Sequence, residues 1–249
     1  MKPYERIIVA LDVEPDYVRV LVNDLKDHVG MFKVGLRALM AIGLPTLTTW
    51  IPPEKLFVDG KFHDIPNTMS DAAYECARFG VKFINVHASA GMKAMNGVVQ
   101  RLEKAQQDWG MKDKKTEVFA VTYLTSLSDR ECQDHYSTER ELGVERLAWK
   151  AYNSGCHGII CSGLELQMLK SHPKLSEMMY IIPAIRPKWS VRHDQKAIVT
   201  PYEAIKWGAD YIVVGRAITQ PPEKLNLTAA GAAIRITEEV SMALDERRE

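Results

Sequence analysis

The sequence lacks an excess of charge of either sign. Lysine and arginine together number 32, as do aspartate and glutamate, so the formal net charge is zero with neutral histidines. A chain without a broad basic field has no general electrostatic attraction for nucleic acid or for an anionic membrane surface. We therefore expect neither of these partners, and any anionic ligand must be held by a local site.

Long hydrophobic runs are also absent. The opening segment MKPYERIIVALDV has only five consecutive apolar residues before Asp12, too few for the core of a signal peptide. No other run approaches the roughly 20 residues of a membrane span. The composition, 46% hydrophobic and 26% charged, is that of an ordinary globular protein, and we expect it in the cytoplasm.

Motifs for metal and dinucleotide binding are missing as well. The cysteines form no CxxC pair and have no histidine-rich neighbourhood with zinc spacing, so we expect buried, reduced thiols at Cys76, Cys132, Cys156 and Cys161. No GxGxxG motif follows the first apolar run, which argues against an open dinucleotide-binding sheet. Because no linker or low-complexity tract divides the chain, we expect a single domain over residues 1–249.

The sequence does contain a regular alternation of short apolar runs with longer amphipathic stretches. The apolar runs, rich in β-branched and aromatic residues, span residues 6–13, 31–35, 55–61, 83–89, 117–124, 158–163, 179–185 and 211–218. Near-continuous apolar strands that alternate with amphipathic helices indicate a parallel sheet covered by helices. Eight such units in 249 residues favour an α/β fold of the closed (β/α)₈ type, the TIM barrel.

Polar residues collect where these apolar runs end. In a (β/α)₈ barrel the chemistry takes place at the carboxyl ends of the strands. The residues at these ends are Asp12, Lys33, Asp59 with Lys61, His87 with Ser89, Thr125 with Ser126, Ser162, Arg186, and Gly215 with Arg216. Two long segments, 125–141 and 186–200, follow the fifth and seventh strands and are candidate active-site loops.

The stretch FVDGKFHDIPNT, residues 57–68, begins as a buried strand and then takes charges to the barrel mouth. Asp59 and Lys61 are two residues apart, so on a regular strand both side chains point into the barrel together with Phe57. Leu56 and Val58 then face the helices. Desolvating such charges is costly, which favours a functional reason for them, although a self-neutralising salt bridge at the barrel mouth remains an alternative.

Lys33 ends the strand beside the one that carries Asp59 and Lys61. We therefore expect an alternating array in which the carboxylate keeps both ammonium groups charged and one of them faces a substrate. Asp64 lies beyond the strand and is predicted to point away from its own pocket. His87 has no carboxylate near it in sequence, and we interpret it as a hydrogen-bonded polar residue rather than a catalytic base.

The last apolar run, YIVVGRAI, ends in Gly215 and Arg216. Phosphate groups in these barrels are often held by the loops after strands seven and eight, where a glycine admits the backbone and an arginine makes a two-point contact. The alternative is a tight turn followed by a surface arginine. We favour a phosphate site because of the position at the end of strand eight.

Several motifs occur in an order that resembles the orotidine 5′-phosphate decarboxylase family over the whole chain. They are ALD (10–12), FKVG (32–35), DGKFHDIPNT (59–68), LTS (124–126), IRP (185–187), DQK (194–196) and VVGRAIT (213–219). The resemblance implies decarboxylation of orotidine 5′-monophosphate to uridine 5′-monophosphate in pyrimidine synthesis, without metal or organic cofactor, by a homodimer.

The resemblance also implies roles for individual residues. Lys61 would donate a proton to C6 of the pyrimidine, Asp59 would lie against the departing carboxylate, and Lys33 would bridge Asp59 and the ribose. Asp64 and Thr68 would reach the active site of the partner subunit. The remaining implied contacts are to the ribose from Asp12, to the pyrimidine edge from Thr125 and Ser126, to base and phosphate from Gln195, and to phosphate from Arg186, Gly215 and Arg216.

Two positions depart from the family's usual pattern, and two other functions remain open. Ala184 stands where the family usually has glycine, and Ala197 where it often has arginine. A magnesium-dependent keto-sugar-phosphate decarboxylase or aldolase of the same superfamily is one alternative, although such relatives usually have glutamate at the position of Lys33. The other is a phosphate-ligand-binding barrel without catalytic activity.

Overall fold

Eight parallel strands form the centre of the structure, a computed structural model that describes residues 1–110, 115–190 and 199–247. The strands are β1 (Ile7–Ala10), β2 (Met31–Val34), β3 (Leu56–Phe62), β4 (Phe83–His87), β5 (Glu117–Val121), β6 (Gly158–Ile160), β7 (Met179–Ile182) and β8 (Tyr211–Val214). Each pairs with the next along the chain, and β8 pairs with β1 to close the barrel. The (β/α)₈ prediction is confirmed, and each of the eight apolar runs contains or overlaps one strand.

Helices surround the barrel between successive strands. They are α1 (Pro15–Leu25), α2 (Leu36–Ile42), α3 (Leu44–Trp50), α4 (Pro66–Arg78), α5 (Met92–Asp108), α6 (Asp129–Tyr136), α7 (Arg140–Asn153), α8 (Gly163–Lys170), α9 (Pro173–Ser176), α10 (Pro201–Lys206), α11 (Arg216–Thr219) and α12 (Ala229–Glu246). Short 3₁₀ turns lie at Pro3–Arg6, Pro53–Lys55, Ala88–Ala90 and Glu223–Leu225. Among the described residues, no helix combines the length and the apolar character needed to cross a bilayer.

The segment 125–141 is not a simple loop, because α6 lies within it. Ser128 precedes this helix and accepts a hydrogen bond from the Glu131 backbone, while the Glu131 side chain accepts one from the Ser128 backbone. This reciprocal arrangement provides acceptors for two backbone N–H groups that have no partner within the helix. The helix therefore begins at a defined residue close to the barrel mouth.

Alternation along the strands divides the hydrophobic core into two parts. Phe57 belongs to the cluster inside the barrel, whereas Leu56 and Val58 pack against the helices, as the sequence predicts. Burying one such side chain stabilises the fold by about 1.5–3 kcal/mol. The other members of the interior cluster are Ile8, Ala10, Met31, Phe83, Phe119, Val121, Ile160, Ile181 and Val213.

Aromatic rings fill the amino-terminal half of the barrel interior. The Phe83 ring centroid lies 4.7 Å from that of Phe119 and 5.2 Å from that of Tyr211. Gly158 on β6 makes room for Phe119, since a Cβ there would lie 2.4 Å from its ring. This packing fills the lower half of the barrel and leaves the carboxyl ends of the strands as the open side.

The cysteines are buried, as predicted, at all four positions. Burial raises the pKa of the Cys76 thiol, and likewise that of Cys156, to about 12. Burial also raises the pKa of Cys161 well above its usual range. These thiols are protonated at neutral pH and are poor nucleophiles.

Candidate active site

A cavity of about 420 Å³ opens at the carboxyl ends of the barrel strands. This volume lies within the range of small-molecule binding sites. Its floor is apolar and consists of side chains from the interior cluster, among them Phe57, Val121, Ile160, Ile181 and Val213. Its polar wall contains Asp12, Lys33, Asp59, Lys61, Asn85, Thr125, Arg186 and Arg216.

Lys33, Asp59 and Lys61 form an alternating array at one end of the cavity. The Lys33 Nζ atom lies 2.5 Å from Asp59 Oδ2, and Lys61 Nζ lies 2.7 Å from Asp59 Oδ1. Lys33 also reaches Asp12 Oδ2 at 3.6 Å. The Lys33 and Asp59 side chains are 10% and 7% exposed, whereas Lys61 is 40% exposed, so Lys61 is the ammonium that a ligand can approach.

Asp59 is ionised despite its burial. Burial raises the pKa of its carboxyl group, but the charges and hydrogen bonds of Lys33 and Lys61 outweigh this effect and lower the pKa to about 2. Removing one member of a buried ion pair costs about 3–5 kcal/mol because it leaves a charge uncompensated. The array is therefore a fixed arrangement of charges at neutral pH.

The backbone beneath the array is irregular. Val58 pairs with Ile84, but the next pairing is Phe62 with Val86, so β3 has two more residues than β4 between these pairs. Lys61 lies within this bulge and has a φ of 45°, in the left-handed region. Asp59 and Lys61 do meet, as the alternation predicts, but the strand between them is not regular.

Asn85 on β4 joins the two residues across this bulge, and it is not among the residues predicted from the sequence. Its side-chain Nδ2 donates to Asp59 Oδ1 at 2.7 Å, and its Oδ1 accepts from the Lys61 backbone N–H at 2.7 Å. Asn85 is 2% exposed. The one signal in the sequence is an amide at an inward-facing position of the apolar run FINVH.

Arg186 and Arg216 lie at the other end of the cavity. Arg186 is 8% exposed and donates to the Ile185 carbonyl at 3.0 Å. Burial, and then the nearby Arg216 charge, lower the pKa of Arg186, although a guanidinium keeps its charge at neutral pH. Within residues 1–110, 115–190 and 199–247, no carboxylate lies within ion-pair distance of either arginine. Two adjacent cations without an acidic partner can bind an anion.

The backbone at this end comes close to the cavity at two positions. Gly215 lines the cavity and precedes α11, and the Ile218 and Thr219 backbone N–H groups both donate to its carbonyl. Ala184 also lines the cavity and has a φ of 62°. Alanine is strained in this left-handed conformation, which glycine adopts freely.

Thr125 lines the cavity at the start of the segment 125–141, which follows β5. Ser126, its predicted neighbour in the site, is exposed and does not line the cavity. Gln195 and Ala197 lie outside the described residues. The predicted roles of these residues in binding the base and the phosphate remain predictions.

Arg140 on α7 holds the segment after β5 in place. Its guanidinium contacts Asp129 Oδ1 at 2.9 Å and Glu165 Oε1 at 3.2 Å, and it donates to the Leu127 carbonyl. Glu165 is buried and also accepts from the Ser162 backbone at the start of α8. These contacts link the segment of Thr125 to two helices.

Asp64 and Thr68 do not face their own cavity. Both are exposed, and Asp64 Oδ1 accepts from the Ile65 backbone N–H at 2.6 Å. The side chain of Ile65 is 66% exposed beside them. Asp64 therefore does not line the pocket that its own strand forms, and its role in a partner's site remains a prediction.

His87 is the last residue of β4 and lies beside His63. The two ring centroids are 5.6 Å apart. Burial, then the nearby His63 and Lys61, lower the pKa of His87, so the imidazole is neutral at neutral pH. His87 does not line the cavity, which agrees with a polar residue of the barrel rather than a base in contact with a ligand.

Comparisons with known proteins place this geometry in context. Residues 5–230 match the sequence model of the family described as "Orotidine 5'-phosphate decarboxylase / HUMPS family". The chain is 36% identical to the orotidine 5′-phosphate decarboxylase of Geobacter sulfurreducens over 247 residues, which covers 95% of this chain and 96% of that protein. It is 37% identical to the corresponding protein of Moorella thermoacetica over 240 residues, covering 94% and 93%.

A solved structure shows the same architecture. The crystal structure of orotidine 5′-phosphate decarboxylase from Lactobacillus acidophilus is similar with a TM-score of 0.78 and 30% identity. The match covers 94% of this chain and 98% of that one. The family match over residues 5–230 spans all eight strands of the barrel.

Proposed function

The chain belongs to the orotidine 5′-phosphate decarboxylase / HUMPS family, and from this premise we propose that it converts orotidine 5′-monophosphate to uridine 5′-monophosphate. One observation carries the proposal. A single cavity has a Lys33–Asp59–Lys61 array at one end and the Arg186–Arg216 pair at the other. The first suits a reacting carboxylate and the second suits the phosphate of the same nucleotide.

Lys61 is the proposed proton donor. When the bond from C6 to the carboxyl carbon breaks, CO₂ leaves and the electron pair stays on C6 in an orbital in the ring plane, where the π system cannot delocalise it. A fixed ammonium stabilises this developing charge and then transfers its proton to form the C6–H bond. The Lys61 ammonium is held 2.7 Å from Asp59 and is partly exposed to the cavity.

Asp59 has two effects in this proposal. It fixes the ammonium groups of Lys33 and Lys61 by direct contact. It also repels the substrate carboxylate, by roughly 4 kcal/mol for two charges about 4 Å apart at an effective dielectric near 20. Loss of CO₂ relieves this repulsion, so the carboxylate of Asp59 favours the product side of the step.

The arginine end supplies binding energy remote from the reacting carbon. A phosphate between Arg186 and Arg216 gains charge-assisted hydrogen bonds and relieves the repulsion between the two cations. Binding energy of this kind can hold the nucleotide in the reactive position. In the same pose we propose ribose contacts from Asp12 and Lys33, pyrimidine contacts from Thr125 and Ser126, and contacts to base and phosphate from Gln195.

We propose that no metal or organic cofactor takes part. Both oxygens of Asp59 already accept hydrogen bonds, from Lys33, Lys61 and Asn85, so a cation would have to displace a donor. In metal-using relatives glutamate usually occupies the position of Lys33. An ammonium at that position repels a divalent cation.

We also propose a cytoplasmic homodimer in which Asp64 and Thr68 enter the partner's site. Their exposure, their absence from the lining of their own cavity, and the exposed Ile65 between them support this arrangement. Asp64 would then add a second carboxylate to the array from across the interface.

The test is loss of orotidine 5′-monophosphate absorbance with purified protein, measured with and without EDTA. We expect equal turnover in both conditions and formation of uridine 5′-monophosphate. Activity that EDTA abolishes and magnesium restores would replace this proposal with the magnesium-dependent alternative. Tight nucleotide binding without release of CO₂ would indicate the non-catalytic barrel.

A further inference from the structure

Asn85 contacts the charged array at the irregular part of β3. It occupies an inward-facing position of β4 between Phe83 and His87 and is 2% exposed. Its amide is directed at the array and also lines the cavity. A buried polar side chain in this position has to be hydrogen-bonded, and both ends of the Asn85 amide are.

From these contacts we infer that Asn85 is a positioning residue, which sets the orientation of the Asp59 carboxylate and the backbone conformation of Lys61. The inference rests on the proposed function, because the position of Lys61 matters for the reaction only if Lys61 donates the proton. Asn85 itself acts through Asp59 and Lys61 and takes no part in bond making.

The first step of the argument concerns Lys61. The bulge in β3 removes regular pairing with β4 between Val58 and Phe62, so the sheet offers the Lys61 N–H no regular ladder partner there. Asn85 Oδ1 accepts this hydrogen bond at 2.7 Å instead. A left-handed residue other than glycine persists only where its surroundings hold it in place.

The second step concerns Asp59. Donors from three adjacent strands surround its carboxylate: Lys33 from β2, Lys61 from β3 and Asn85 from β4. Lys61 and Asn85 share Oδ1, and Lys33 takes Oδ2. The Asn85 donor therefore opposes rotation of the carboxylate toward Lys33, a rotation that would move the acceptor of the Lys61 ammonium.

The third step is chemical. Only a side chain with a donor and an acceptor can serve Asp59 and Lys61 at once. An ionised aspartate at position 85 would accept from Lys61 but would place a second negative charge against Asp59. An alanine would serve neither group and would leave the Lys61 N–H without this acceptor. The Asn85 amide has both a donor and an acceptor and therefore meets this requirement.

The experiment compares the wild type with Asn85→Ala and Asn85→Asp. A misplacement of about 1 Å in a reacting group can cost roughly 100-fold in rate. We expect Asn85→Ala to lower kcat about 10- to 100-fold and Asn85→Asp to lower it at least as much. KM should stay within about threefold of the wild type, because the arginine end that binds phosphate is unchanged.

Thr116→Val is the matched control for stability. Thr116 is buried and donates to the Val81 carbonyl at 2.6 Å, just before β5 at the opposite end of the barrel. Its replacement also removes a buried hydrogen bond, so Tm should fall while kcat stays unchanged. If Asn85→Ala does not fold, kcat is compared between the wild type and Asn85→Asp, which preserves the side-chain volume.

Crystal structures of the wild type and of the folded Asn85 variant give a readout that needs no turnover. We expect Lys61 to leave the left-handed region or its ammonium to move by more than about 1 Å from Asp59. A variant with kcat within twofold of the wild type, or with unchanged Lys61–Asp59 geometry, would overturn the inference. A wild type that forms no uridine 5′-monophosphate would overturn the proposed function, and the crystal structures would still decide the role of Asn85.

Discussion

The two ends of the cavity hold their positive charges in opposite ways. Lys33 and Lys61 share Asp59 at 2.5 and 2.7 Å, so their charges are balanced within the protein. Arg186 and Arg216 lie near each other, and in the described part of the chain no ion pair with a carboxylate balances them. The charges of the paired end are held by internal contacts without a ligand, whereas the unpaired end would gain stability from a bound anion.

This difference suggests that the paired end serves the chemical step and the unpaired end serves ligand binding. A transition state is stabilised best by charges that need no reorganisation during the reaction, and the Lys33–Asp59–Lys61 array meets that condition. Affinity for an anion is greatest where cations have no internal partner. Changes at the paired end should therefore affect kcat, and changes at the unpaired end should affect KM and ligand affinity.

The largest expected effect comes from Lys61→Ala at the paired end. We expect kcat to fall by at least about 10⁴-fold, because both the charge opposite the developing carbanion and the proton donor are lost. Asp59 keeps its contacts with Lys33 and Asn85, so the barrel should still fold. Steady-state kinetics on orotidine 5′-monophosphate measures the loss, and circular dichroism checks the fold.

Lys82→Ala is the matched control for that substitution. Lys82 forms an ion pair with Glu117 at 3.3 Å near the amino-terminal end of the barrel, far from the cavity lining. We expect kcat of this variant to equal that of the wild type. Turnover of Lys61→Ala within tenfold of the wild type would remove Lys61 from its proposed role.

The second prediction tests whether the partner completes the paired end. Asp59→Ala and Asp64→Ala should each be nearly inactive alone. In a mixed dimer, one site combines the intact Asp59 of one subunit with the intact Asp64 of the other. Random mixing then restores up to about a quarter of wild-type activity per site.

The mixing experiment needs a control for subunit exchange. Each variant is mixed with itself under the same conditions, and native mass spectrometry of differently tagged subunits measures the fraction of mixed dimers. If mixed dimers form and activity does not rise, Asp64 does not act in trans.

The third prediction concerns the unpaired end. Arg216→Ala should lower kcat/KM about 10- to 100-fold, mostly through KM, because a charge-assisted phosphate contact is lost. Calorimetry should show weaker binding of uridine 5′-monophosphate by a similar factor. Arg19→Ala, an exposed arginine on α1, is the control and should leave both quantities unchanged. Unchanged kinetics of Arg216→Ala would exclude the phosphate assignment.

The sequence predicted the parts of this site that depend on strand period. Phe57 faces the barrel interior and Leu56 the helices, because alternation along a strand needs no tertiary information. The array of Lys33 with Asp59 followed from adjacent strand ends in a closed barrel. The first prediction required only the period of a strand, and the second required only the order of the strands in the barrel.

The sequence did not predict the features that arise from contacts between segments far apart in the chain. Asn85 is 26 residues from Asp59 in the sequence, and the two side chains meet only because β3 and β4 pair. The left-handed backbone of Lys61 results from a bulge in the register, which an apolar pattern does not reveal. Arg140 was missed for the same reason, since its contacts come from segments on both sides of α7.

Ala184 gives the smallest predicted effect, and it concerns the backbone of the unpaired end. Its φ of 62° strains an alanine but not a glycine, so Ala184→Gly should stabilise the protein by roughly 0.5–1 kcal/mol after the extra freedom of glycine in the unfolded chain is subtracted. For a chain of this size Tm should rise by about 1–4 °C, measured by calorimetry. Ala148→Gly within α7 is the control, and its Tm should fall because glycine weakens a regular helix. A higher Tm for Ala184→Gly together with a lower Tm for Ala148→Gly would show that the backbone beside Arg186 is strained. A lower Tm for Ala184→Gly would show that it is not.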